Sequence, residues 1–346
     1  MDNNIPTIKQ IALRLKVSVS TVSRALSDHP RIGKVTKDRV LDLAKELNYE
    51  PNSKAIFFKQ KKTFTIGVIL PFIKEGFFSE AISGIESAAM ECDYTILFGQ
   101  SYDTPEREKR VVDAMKKQRV DGLIISLSKQ TSNFDHLYAM EKYNIPIVYF
   151  DRVPPFKNAN KVYCNLFKGT IEMVGWLISR GYKRIALING PDKMAASKER
   201  LRGYMDGLSC KKLRVDMQMV EVTDLSKEGT QFAVKKLLAL KTPPNAIITF
   251  NDYVHMDAVQ YAQSQHVLVN KDILFVSYAN NPITSYMAFP PVVSIEQYPF
   301  GQGVKAMEMM MKLLDGKLTS STEMSYYTEE VAATLMMHLP PDIKYS

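Results

Sequence analysis

Little in this chain is built for oxidation, for a membrane or for covalent chemistry. Its three cysteines, Cys92, Cys164 and Cys210, are widely spaced and form no CxxC. That excludes a disulfide framework or zinc site and reads as reduced thiols in a cytosol. No apolar run reaches membrane-spanning length; "IGVILPFI" and "IPIVYF" are strand-sized. The opening "MDNNIPTIKQ" lacks the apolar stretch of a secretory signal, so the expected compartment is the cytoplasm. GxGxxG after a strand, GxxxxGK[ST], GxSxG and HExxH are all missing. The histidines (His29, His136, His255, His266 and His338) are scattered, with no metal-partner spacing. The expectation is a protein that is not an enzyme and that needs neither metal nor cofactor.

What is present is length, an ordinary apolar fraction and unevenly placed charge. The 346 residues suggest two or three domains, with enough apolar side chains for a sizeable core. Of the net charge of +8, almost all lies in residues 1–62, which hold 13 Lys/Arg against 6 Asp/Glu. A basic segment on a near-neutral body is the footprint of a phosphate-binding surface. A solvated basic tail is the plainer reading, but tails lack the regular apolar spacing seen here.

Three short helices fit the first 50 residues. In "TIKQIALRL" the apolar positions Ile8, Ile11, Ala12 and Leu15 fall at helical spacing, with Thr7 as the cap. Lys16 and Val17 make a turn. Ser18 caps a second helix whose inner side is Val22, Ala25 and Leu26. A third runs from about Lys34 to Leu47. Two short helices joined by a tight turn and braced by a third form a helix-turn-helix pattern. The second helix, "VSTVSRAL", is rich in small hydroxyl side chains, which permit close approach to DNA and can bond phosphates. Val19, Ser20, Ser23 and Arg24 point away from the core. Arg24 offers the fork that guanine accepts, or is a plain surface charge, and Val19 suits a thymine methyl.

The segment "YEPNSKAIFFKQKKT" (49–63) reads as a linker containing a short helix at about 52–58. Its consecutive Ile56, Phe57 and Phe58 fit an apolar wedge for a minor groove, or packing against the next domain. From Phe64 the pattern becomes apolar strands alternating with amphipathic helices. Strands are expected at 64–71, 94–100, 122–128, 145–151, 184–190, 217–223, 246–252 and 273–279. Helices are expected at 77–92, 105–118, 167–180, 198–209, 228–240 and 254–264. Such alternation indicates doubly wound parallel sheets. The series occurs twice, split near 152–165, so two α/β lobes with a cleft are expected. Ligands in such folds sit beyond the carboxyl ends of the strands.

Several side chains follow those strand ends. Asp103, Asp151 and Asp252 are either turn caps or acceptors for sugar hydroxyls. Phe77 and Phe78 suit stacking on a ligand ring, or packing at a helix start. Arg200, in "KERLRGYMDGL", suits a hydroxyl pair or a carboxylate, or is a surface charge. The cluster "AMEMMMKLL" (306–314) reads as core or subunit contact.

"VSVSTVSRAL" followed by "NYEPN" at this distance resembles the lac-repressor family of bacterial transcription regulators. The likeness extends along the chain through "FTIGVILP", "KQRVDGLIIS", "IPIVYFDR", "RGYKRIALINGP", "RLRGY", "AIITFND" and "VSIEQYPFGQG". The resemblance implies a helix-turn-helix head (1–48), a hinge (49–63) and a two-lobed core (64–338) like periplasmic sugar-binding proteins. Three chain crossings would give lobe one 64–162 plus 291–321, and lobe two 163–290 plus 322–338. It implies phosphate contacts from Thr7, Ser18, Thr21, Ser27, Thr36, Tyr49 and Asn52, and base contacts from Val19, Ser20 and Arg24. Ala55 and Phe58 would lie on a hinge helix in the minor groove. The resemblance places Arg200, Asp252 and the residues of "YANN", Asn280 among them, on the effector cleft; with Phe77, Asp103 and Asp151 from the strand-end reading, these are the expected effector contacts.

Departures from the family pattern are local. Lys16 stands where a Gly usually ends the first helix, and Gly33 where a Ser often caps the third. Ile56 replaces a basic residue, and Phe58 a smaller Leu. "VSYANN" lacks the acid of the usual "GFDD", with Ala279 near that position and Asn280 expected to substitute. The expected function is a homodimeric, sequence-specific DNA-binding transcription regulator, a repressor of the lac type, that reads a pseudo-palindromic operator and is controlled by a sugar or sugar-derived effector. The alternative is a solute-binding or sugar-modifying protein whose basic head serves assembly alone.

Overall fold

Residues 6–50, 62–316 and 326–338 are described by the computed structural model. The chain divides into two compact units, Met1–Thr63 and Phe64–Ser346. The first unit holds α1 (Ile8–Leu15), α2 (Val19–Leu26) and α3 (Lys34–Glu46). Thr7 and Gln10 form a reciprocal capping box at the start of α1, and Ser18 caps α2 by accepting from the Thr21 N–H. Lys16 ends α1 in the left-handed region at φ 53°, a conformation that normally selects glycine. Gly33 caps α3 with no side-chain bond. Ile11, Ala12, Val22, Ala25, Val40 and Ala44 bury together as the head's core, with Leu26 and Tyr49 packed partly against it. Asn52, Ala55 and Phe58 of the expected hinge lie outside the described residues.

The second unit contains two six-stranded sheets. The first has the order β11-β5-β4-β3-β1-β2, built from β1 (Thr65–Leu70), β2 (Thr95–Gln100), β3 (Gly122–Ile125), β4 (Ile147–Phe150), β5 (Asn160–Cys164) and β11 (Thr328–Val331). Every neighbouring pair in it is parallel. One face carries α4 (Gly76–Met90) and α11 (Pro299–Leu314), and the other α5 (Pro105–Lys117) and α6 (Asp135–Glu141). The second sheet has the order β12-β10-β9-β8-β6-β7, from β6 (Ile185–Asn189), β7 (Val220–Val222), β8 (Ala246–Thr249), β9 (Leu274–Ala279), β10 (Val293–Glu296) and β12 (Thr334–Met337). Here α7 (Leu166–Ser179) and α8 (Ala195–Cys210) cover one face, and α9 (Lys227–Leu238) and α10 (Asp252–Ser264) the other. Both sheets are covered on two sides, which is why their strands read as near-continuous apolar runs.

Three details depart from the sequence reading. The strand "VSIE" was expected in the first lobe; instead β10 pairs in parallel with β9, Ser294 opposite Ser277, in the second sheet. The following helix α11 then crosses to the first lobe, where Met307, Met309 and Met310 are core. The last stretch was expected wholly in the second lobe, but β11 joins the first sheet beside β5 and β12 the second, antiparallel to β10. Both assignments came from the family likeness, and alternation could not check them, because it gives a strand's faces and not its sheet. Finally, "MQMVEVT" begins as a 3₁₀ turn, Met217–Met219, before the short β7.

The α4–α11 crossing is close enough to require glycine on both sides. A Cβ on Gly84 would lie 2.1 Å from the Phe300 carbonyl oxygen, and one on Gly303 would lie 2.1 Å from that of Ala81.

Candidate functional site

Both sheets have the strand order in which the second strand lies outside the first and the third returns to its other side. The crevice at that switch lies beyond the carboxyl ends. A cavity of about 540 Å³ opens there, walled by the segments after β1, β2, β3 and β4 from one lobe and after β6, β7, β8, β9 and β10 from the other. The expected segments thus converge on one cleft.

In lobe one, Phe77, Asp103 and Asp151 all line it. Phe77 is nearly buried, its ring edge-on to Phe78 at 5.3 Å. Asp103 turns the chain at φ 61° and holds two neighbouring segments: its Oδ1 accepts from the Lys129 N–H at 2.8 Å and from Arg152 Nη1 at 2.6 Å. Asp151, at φ 56°, accepts from the Ser126 hydroxyl at 3.3 Å. Burial pushes its carboxyl above the usual aspartate range, against the pull of Arg152 and Arg200. Behind this wall Glu108, fully buried, bonds the Ser128 N–H at 2.6 Å and His136 Nε2 at 2.9 Å, fixing the loop that carries Lys129.

In lobe two, Arg200 lines the cleft at 4% exposure. Its guanidinium carbon lies 3.8 Å from the ring centre of Phe250 and 4.2 Å from that of Tyr278. Its Nε and Nη1 have no hydrogen-bond partner.

Two expected residues are not on the wall. Asp252 is fully buried behind it and accepts from the Asn281 N–H at 2.7 Å and Asn281 Nδ2 at 2.9 Å. Burial raises its carboxyl to about 6. Asn280 donates from Nδ2 to Glu296 instead of facing the cleft. The cause is backbone: Ala279 and Asn280 both have positive φ, 93° and 56°, which swings Asn280 aside and brings Asn281 round. Ala279 and Asn281 line the cleft in their place.

Lys74, Glu75, Asp224, Asn251, Tyr253 and Gln297 also line the cleft and were not singled out beforehand. Lys74, Glu75, Asn251 and Tyr253 sit in strand-end segments already marked by position; Asp224 follows β7, a strand expected at 217–223, and Gln297 follows β10, which the sequence reading put in the other lobe. The lobes touch at its rim, where the Tyr253 hydroxyl donates to the Lys74 carbonyl at 3.4 Å. Asn165 spans the crossover, its N–H bonding the Val331 carbonyl at 3.0 Å and its Nδ2 bonding Glu330 at 2.7 Å.

In the head, Val19, Ser20, Ser23 and Arg24 form the exposed side of α2. Ser18 bonds both the Ser20 and Thr21 hydroxyls at 2.8 Å. Ser27 returns its hydroxyl to the Ser23 carbonyl at 3.0 Å, Thr7 is exposed at its cap, and Thr36 lies in the first turn of α3.

Among the described residues no helix is long and apolar enough to cross a membrane, and no cluster of three His, Cys, Asp or Glu side chains is placed to hold a metal.

Residues 63–342 match the family described as "Periplasmic binding proteins and sugar binding domain of LacI family", and residues 7–52 match "Bacterial regulatory proteins, lacI family". The transcriptional repressor CytR of Escherichia coli strain K12 is 30% identical over 315 residues, covering 91% of this chain and 92% of that protein. The repressor PurR of Vibrio cholerae is 27% identical, with 90% and 92% covered. Among solved structures, the lac repressor dimer bound to operator and the anti-inducer ONPF has a TM-score of 0.81 at 23% identity, covering 96% of this chain and 98% of that one. The regulator CelR in complex with cellobiose has a TM-score of 0.72 at 22% identity over 96% and 98%. With both of its units matched in order, and a curated repressor alike along nine-tenths of its length, this chain belongs to the LacI family and is a DNA-binding transcriptional repressor rather than an enzyme.

Proposed function

We propose that this repressor is a homodimer whose operator affinity is set by a small polyhydroxyl effector bound between the lobes of its core. The observation that carries the reading is the cleft itself: about 540 Å³, formed at the carboxyl ends of both sheets and lined by aromatic, amide and charged groups from both lobes. That volume and mixture suit a mono- or disaccharide-sized ligand. CelR, similar in fold, has been solved with cellobiose. A ligand touching both walls stabilises one lobe arrangement over the other. Coupling of this kind is typically about 1–3 kcal/mol, or roughly 5- to 150-fold in affinity.

On the DNA side, α2 enters the major groove and presents Val19, Ser20 and Arg24 to base edges. Thr7, Ser18, Thr21, Ser27, Thr36, Tyr49 and Asn52 engage phosphates, and Ala55 and Phe58 act at the minor groove. Two heads then read two half-sites of an approximate palindrome. Support comes from the exposed, hydroxyl-rich side of α2 and the net basic charge of residues 1–62. The protein acts in the cytoplasm, where its operator is.

Footprinting on genomic fragments, with and without a panel of sugars and over a salt series, tests the whole reading. The expected result is protection of a two-fold site, an effector-dependent change, and log affinity falling steeply with log salt, by about 0.9 per neutralised phosphate. Affinity flat across salt, or footprints indifferent to every compound that binds the core, overturns it.

A further inference from the structure

We propose that Asn281 and Gly76 are the stop at which the two lobes meet, and that through this contact the position of lobe two is imposed on the α4–α11 pair of lobe one. The inference deepens the effector control proposed above and rests on it. Gly76 opens α4 in lobe one, and Asn281 follows β9 in lobe two. A Cβ on Gly76 would lie 2.7 Å from Asn281 Oδ1, 3.3 Å from its Cγ and 3.6 Å from its Cβ, and these are the three nearest atoms it would meet. Non-bonded carbon atoms rest about 3.5–4.0 Å apart. The walls of the cleft therefore touch here, and only a residue without a side chain lets them come so near.

Both sides of the contact are stiff. The Asn281 N–H and Nδ2 donate to the same Asp252 Oδ2, at 2.7 and 2.9 Å. With Nδ2 committed there, Oδ1 is fixed on the other branch of the amide. The Asn281 carbonyl accepts from the Thr284 N–H at 2.9 Å and from the Thr284 hydroxyl at 2.8 Å, and the residue is buried. In lobe one Gly76 cannot withdraw alone, because α4 is pressed backbone to backbone against α11. Displacing Gly76 displaces that pair. A second, longer contact joins the same two segments: Tyr253, next to Asp252, donates to the carbonyl of Lys74, two residues before Gly76. Asn281 is thus a positioning residue for closure, held by Asp252 and received by Gly76. An effector shifts the balance between lobes meeting at this stop and lobes apart by binding one arrangement more tightly than the other.

Two full-length variants set the stop to its extremes. Gly76→Cys with Asn281→Cys, in a chain whose exposed Cys92 and Cys210 are replaced by serine, locks the walls together on oxidation. The 3.6 Å between the two β-carbon positions falls in the disulfide range of about 3.5–4.5 Å. Gly76→Val props the walls apart. The probe is a duplex selected from randomised DNA by the wild-type repressor, and no effector is added. The cross-link should form in the folded protein, and the locked and propped proteins should differ in affinity for that duplex by at least about fivefold. Reductant should reverse the effect of locking, and Asn281→Gly should reverse that of Gly76→Val by vacating the space; a contact that served the fold alone would give neither recovery. A cross-link that does not form shows that the walls do not meet there, and equal affinities for the locked and propped proteins show that DNA binding does not respond to the stop; either overturns the inference. The wild-type footprints with sugars carry none of these changes and judge the effector reading separately. Should the cysteine pair fail to fold, the shift caused by Gly76→Val and its recovery with Asn281→Gly decide alone, and no shift overturns the stop.

Discussion

Arg24 and Arg200 share a side chain and nothing else. Arg24 is exposed on α2, where its fork is open to water. Arg200 is buried between the rings of Phe250 and Tyr278. For Arg24→Ala, selection experiments on randomised operators should show discrimination at one base pair per half-site reduced by about 1–3 kcal/mol, with the other positions kept. An unchanged preference removes Arg24 from base reading. Asp252 gives a prediction in pH. Its folded value of about 6 lies above the ordinary 3.8, so the folded chain holds this proton more tightly than the unfolded one. The stability it contributes is complete below about pH 3.8 and lost as pH rises through about 6. Urea unfolding of the wild type should therefore weaken between those values, relative to Asp252→Asn, by up to ~3 kcal/mol. Parallel curves for the two proteins would show that its burial has no such effect.

Elements succeed here by how closely they meet. The α4–α11 pair approaches until backbone touches backbone, and Gly84 and Gly303 are the reason. Either glycine replaced by alanine puts a methyl carbon 2.1 Å from a carbonyl oxygen, and that oxygen cannot rotate away. Gly84→Ala should cost at least about 1–3 kcal/mol in denaturant unfolding, because the helices must separate. An unchanged midpoint would mean that the pair slides freely. The turn after β9 shows the reverse, an element that ends early and redirects chemistry. Positive φ at Ala279 and Asn280 exchanges one asparagine for the next at the cleft wall. Reading residue types along the strand found the correct turn, and named the wrong asparagine within it.

At the scale of the molecule, the cleft has two walls that belong to separate sheets and are joined by three strands of chain. The Tyr253 hydroxyl joins the two walls at the rim, 3.4 Å from the Lys74 carbonyl, and under the proposed effector control it is a bond that closure would keep. Replacing Tyr253 with Phe leaves the fold alone and removes that bond. The expected result is an effector affinity weakened by about 0.5–1.5 kcal/mol with basal operator affinity little altered. Calorimetry on the core and operator titration without effector separate the two; equal losses in both would place Tyr253 outside closure.

The order of amino acids was enough for the head, because its three helices carry their own caps and spacing, and for the β-α alternation, because burial on both faces imposes continuous apolar strands. It marked Phe77, Asp103 and Asp151 by their place after strands and Arg200 by its amphipathic helix, and all four line the cleft. Tertiary structure alone decided that β10 joins the second sheet while α11 returns to the first, that two residues separate β11 in one lobe from β12 in the other, and that Asp252 lies behind the wall. Those outcomes depend on pairing between strands far apart in the chain and on backbone turning at single residues. Local periodicity carries neither: it says which face of a strand is apolar, and leaves the neighbour that covers it to the fold.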